Sequence, residues 1–219
     1  MPIEEIFKDS GLSQPPPTIG NDLLRWIREA QIVLDFGLID DVPLPVEDLD
    51  QLREHAGSLP PDLAWYYEHA TPWVRMGNGL KIWREHMEIA CRRLHEVAHR
   101  RGVLDKSKFE QNIAAQPVLL PVNLSRKATA LAFTDAQKRF AVIDGNIGAY
   151  LGRPIAIGLR NYLVQQVLVE IVWCDERYGT YAEAMEDPHV REAGGWPLMD
   201  PPRHLFIDAY QGHIGKASG

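Results

Sequence analysis

Cysteine is scarce in this sequence: Cys91 and Cys174 are the only two. Thiols so few and far apart leave room for one disulfide at most, match no zinc-type cysteine spacing, and suit a reducing cytoplasm. No apolar run approaches the ~20 residues that a membrane span needs. The opening MPIEEIFKDSG is acidic and lacks an apolar signal core, so the expectation is a cytoplasmic protein without secretion or membrane association. Positive charge is also outweighed. Lys and Arg number 23 against 30 Asp and Glu, a net charge of −7, which opposes nucleic-acid binding and suits a basic protein partner. Gly145, Gly148 and Gly152 fit the spacing of neither a dinucleotide fingerprint nor a phosphate loop.

What is present is the composition of one globular domain with extensions: 219 residues, 45% hydrophobic and 24% charged. Residues 1–20 contain SQPPPTIG and read as a proline-rich N-terminal arm, because consecutive prolines exclude regular helix and central strand. Residues 21–210 read as a single domain and 211–219 as a frayed tail. Asn21 is placed to cap a helix carrying Leu23, Leu24, Trp26, Ile27, Ala30, Ile32, Val33 and Leu34, apolar on more than one side and so expected to be well buried. A second helix runs through Glu47, Asp48, Leu49, Asp50, Leu52 and Glu54, with acids at its positive end. Gly57 closes it, Ser58 is placed to cap the next, and Pro60 and Pro61 suit a first helical turn. Leu63, Tyr66, Tyr67 and Ala70 follow at helical spacing until Thr71-Pro72, and Gly77-Asn78-Gly79 makes a turn.

A long helix is expected from about Glu85 to Arg101, with Met87, Ala90, Leu94 and Val97 as its stripe. It carries the one catalytic-looking motif, His95-Glu96-Val97-Ala98-His99. Histidines four apart share a helical face and can share a zinc, with Glu96 as general base. Gly102 and Asp105 extend the motif to HExxHxxGxxD, which resembles the metzincin-type zinc proteases whose third ligand is aspartate. That resemblance implies zinc held by His95, His99 and Asp105. Against it, both histidines fall on the polar side of the wheel, beside Glu88 and Arg92. Arg92, Arg93, Arg100 and Arg101 would oppose a dication, and Glu88–Arg92 and Glu96–Arg100 are spaced as surface ion pairs. No substantial sheet is expected before the helix. The expectation is therefore no cofactor, with zinc as the alternative.

Beyond residue 115 the period shortens. Pro117–Val122, Thr129–Thr134 and Arg139–Ile143 read as strands, with a hairpin at Asp135–Lys138. Pro154 is placed to lead a helix over about Ala156–Trp173 that is strongly apolar and so central to the core. The fold class expected is α+β, with N-terminal helices, then a small, mainly antiparallel sheet packed against a long C-terminal helix.

Leu59-Pro60 opening a short helix, the Asn78-Gly79 turn, Pro121-Val122 on a strand and Leu159-Arg160-Asn161-Tyr162-Leu163 opening the last helix together resemble the SMI1/KNR4 (SUKH) superfamily over roughly residues 45–173. The resemblance implies an immunity-type protein that neutralises a toxin by occluding its active site, not an enzyme. Charge complementarity to a basic cleft would bring in Asp40, Asp41, Glu47, Asp48 and Asp50, with Trp65, Tyr66 and Trp73 as candidate aromatic anchors. Each of those aromatics has a competing reading as core.

Overall fold

The structure, a computed structural model, describes residues 2–12, 16–18, 20–72, 85, 119–124, 129–134, 140–144, 154–174 and 178–195. Four helices come first: α1 (Ile3–Asp9), α2 (Asn21–Val33), α3 (Val46–Ala56) and α4 (Pro61–His69). Strands β1 (Leu119–Leu124), β2 (Thr129–Thr134), β3 (Phe140–Asp144) and β4 (Pro154–Ile157) follow. The described chain then ends in α5 (Leu159–Cys174), α6 (Tyr181–Ala184) and α7 (Pro188–Ala193). This is the α+β class that the sequence implies, with the sheet packed on the long C-terminal helix.

The helix boundaries follow local chemistry. Gly57 ends α3 in the left-handed region at φ 69°, where a side chain would be strained. Pro60 rather than Ser58 holds the cap position of α4, with Pro61 as the first helical residue and no side-chain cap bond. Proline there gives up only an N–H that the helix leaves unbonded anyway. Gly20 likewise takes the cap of α2, so Asn21 is inside the helix instead of capping it.

The sheet is an antiparallel meander in the order β1-β2-β3-β4. Its register aligns Leu120, Ala132, Val142 and Ala156 in one row across all four strands. All four are buried. Alternate residues share a face, and the alanines in this row let α5 approach the strands closely. β4 was read as the start of the final helix. Pro154 opens a strand instead, a position that needs no N–H for the ladder, and Gly158, at φ 78°, turns the chain into α5.

Helix α5 is the centre of the molecule. Leu159 and every residue from Tyr162 to Val172 are buried. Helices α1 and α2, the sheet, and helices α6 and α7 all pack on it, so no side of it is left to water. That explains its polar residues as well as its apolar ones. Gln165 donates from Nε2 to the Ile155 carbonyl at 2.6 Å and the Val190 carbonyl at 3.1 Å. Gln166 accepts from the Tyr181 hydroxyl. Buried amides need such partners, and α6 and α7 bring them. Asp187 holds α7 in place. Its Oδ1 accepts from the His189 and Val190 N–H groups at 2.8 and 3.4 Å, and its Oδ2 from the Tyr178 hydroxyl at 2.8 Å.

The N-terminal arm needs a correction. Residues 3–9 form α1, and Ile6, Phe7 and Leu12 are buried. Phe7 meets Trp26 of α2 edge-on, ring centroids 5.3 Å apart. Apolar side chains this bulky gain more from the core than from solvent, so a domain boundary at residue 21 leaves out an element of the core. The proposed tail at 211–219 and the long helix expected over 85–101 lie outside the described residues, Glu85 excepted. Among the described residues no helix is long and apolar enough to cross a membrane.

Candidate functional site

The acidic candidates gather around α3 and α4. The chain enters α3 through residues 40–45, and this approach is stitched to the end of α4. Asp40 and Thr71 exchange backbone hydrogen bonds at 3.0 and 2.8 Å. The Thr71 hydroxyl donates to the Val42 carbonyl at 2.8 Å, and the Leu44 N–H to the Tyr67 carbonyl at 2.9 Å. Asp40, Asp41 and Val42 are thereby fixed beside the last turn of α4, although some thirty residues separate them in sequence.

Not all of the acidic charge is free. The Arg28 Nε lies 2.9 Å from Asp41 Oδ2. Arg53 bridges α3 and α4, with Asp50 Oδ1 at 3.4 Å and Glu68 Oε1 at 3.2 Å. These pairs are solvent-exposed and contribute at most about 1 kcal/mol each. Glu47 and Asp48 stand in the first turn of α3, where the helix dipole favours them. Two apolar side chains are exposed among the acids, Val42 at 57% and Val46 at 68% of their full accessibility. The sequence pattern flagged neither, because an isolated valine reads as core by default. Arg53 and Glu68 were also missed. The three-residue spacing of Asp50 and Arg53 is the signal that was available.

The aromatic candidates separate. Trp65 is partly buried on α4 and stacks on His69, centroids 5.2 Å apart and planes 26° from parallel. His69 Nδ1–H donates to the Trp65 carbonyl at 2.8 Å. Tyr66 is not an anchor. It is fully buried, and its hydroxyl donates to the Val122 carbonyl of β1 at 3.3 Å. Its neighbour Tyr67, also fully buried, donates to the Pro121 carbonyl at 2.7 Å. Burial pushes both phenols well above the ordinary tyrosine range, and at Tyr67 the neighbouring Tyr66 acts in the same direction. Trp73 lies outside the described residues.

The zinc candidates His95, Glu96, His99 and Asp105 lie outside the described residues too. Among the described residues no group of three or more His, Cys, Asp or Glu is arranged to hold a metal ion. What the described residues 40–69 present is a set of carboxylates, exposed Val42 and Val46, and a stacked Trp65–His69 pair on α4. No family model, curated protein or solved structure matches this chain.

Proposed function

We propose that this chain is a non-enzymatic cytoplasmic binding protein of the SUKH immunity type, which neutralises a toxin by covering its active site. The observation that carries this reading is the face built by residues 40–50 and α4. Asp40, Asp41, Glu47, Asp48 and Asp50 flank exposed Val42 and Val46 along this stretch of chain, and Trp65 stands on α4, which an Arg53–Glu68 ion pair ties to α3. Acids steer a basic partner and orient it, while apolar and aromatic side chains supply the contact area. The net charge of −7 favours the same partner and opposes a polyanion.

The test is inhibition. The chain is used to capture a partner from its source cells, and the partner's activity is then titrated with the chain. Stoichiometric loss of that activity supports the proposal, and a variant with Asp41→Lys, Glu47→Lys and Asp50→Lys should inhibit at least tenfold less well. A wild-type chain that captures no specific partner, or one whose activity it leaves intact, refutes it. The HEVAH motif keeps one other reading in view, a zinc hydrolase with His95, His99 and Asp105 as ligands and Glu96 as base. Elemental analysis decides there: one zinc per chain, lost in a His95→Ala/His99→Ala variant, would replace the binding-protein reading.

A further inference from the structure

We draw no further inference here: the strongest candidate, the exposed apolar patch of Ile32 and Val33 in the last turn of α2, carries nothing because nothing in the structure shows what covers it.

Discussion

Replacing Tyr67 with phenylalanine tests how the N-terminal helices are joined to the sheet. The ring stays, so the core keeps its volume, and only the hydroxyl on the Pro121 carbonyl is lost. The acceptor is buried, so its desolvation is left uncompensated, at roughly 1–3 kcal/mol. Tyr66→Phe is the internal control. Its bond to the Val122 carbonyl is longer, 3.3 Å against 2.7 Å for Tyr67, and its loss should cost about 0.5–1.5 kcal/mol. Urea melts of the two variants give the difference directly, with unchanged m-values as the sign that neither end state has altered. In thermal melts, a loss of ~2 kcal/mol lowers the Tm of a chain of this size by about 4–8 °C. Equal and negligible losses, or a larger loss for Tyr66→Phe, would refute the assignment of these phenols as the link between α4 and β1.

Three further outcomes follow from the packing. Gly194→Ala should cost about 1–3 kcal/mol by overpacking. Its Cβ would fall 2.4 Å from Gln165 Nε2 and 2.5 Å from the Ile155 carbonyl, and the latter is backbone and has little freedom to retreat; a melt within error of wild type would contradict this contact. Asp35→Gly should gain about 0.5–1 kcal/mol, because Asp35 sits at φ 50° and its charge opposes the dipole at the end of α2; a measured loss in urea would contradict it. The raised phenol pKa values of Tyr66 and Tyr67 set the alkaline limit. In the folded state both hold their protons more tightly than in the unfolded chain, so their contribution is complete below pH ~10, the unfolded value. Above it stability should fall by up to about 1.4 kcal/mol per tyrosine per pH unit. The phenolate absorbance lost in Tyr66→Phe and Tyr67→Phe relative to the wild-type chain should rise together with unfolding and not before it.

Helices α2 to α5 and most of the sheet were legible because their signals are local. Gly57 marks its own helix end, and the dense apolar residues of Leu159–Val172 mark a helix central to the core. β4 was not legible, since four residues beginning with proline look the same as the start of a helix until the register with β3 is known. Helix α1 was hidden by the prolines that follow it. The acidic residues of the candidate site could be picked out by charge, and Glu47 and Asp48 stand where the pattern put them. Their ion pairs could not, because the Arg28–Asp41 and Arg53–Glu68 contacts join separate elements. Tyr66 was misplaced as a surface anchor for a related reason. Tyrosine tolerates both settings, and only its bond to β1 shows that it lies inside.

The sheet ends limit how a partner can approach. An open edge strand invites an added strand from another chain, but among the described residues two groups on each of β1 and β4 are already bonded. At β1 the carbonyls of Pro121 and Val122 are taken by Tyr67 and Tyr66, and Pro121 has no N–H to offer. At β4 the Ile155 carbonyl is held by Gln165, and the Ile157 N–H bonds to the Gly194 carbonyl at 2.8 Å. A partner adding a strand at either edge would have to displace a buried phenol or the end of α7. The face of α3 and α4 asks for neither. Its ion pairs are exposed and can be re-formed with an incoming lysine or arginine at small cost. An approach through the side chains of α3 and α4 therefore leaves the described fold intact. It is also the route on which charge reversal at Asp41, Glu47 and Asp50 would change binding while costing the fold only the small contributions of exposed pairs and of the helix dipole.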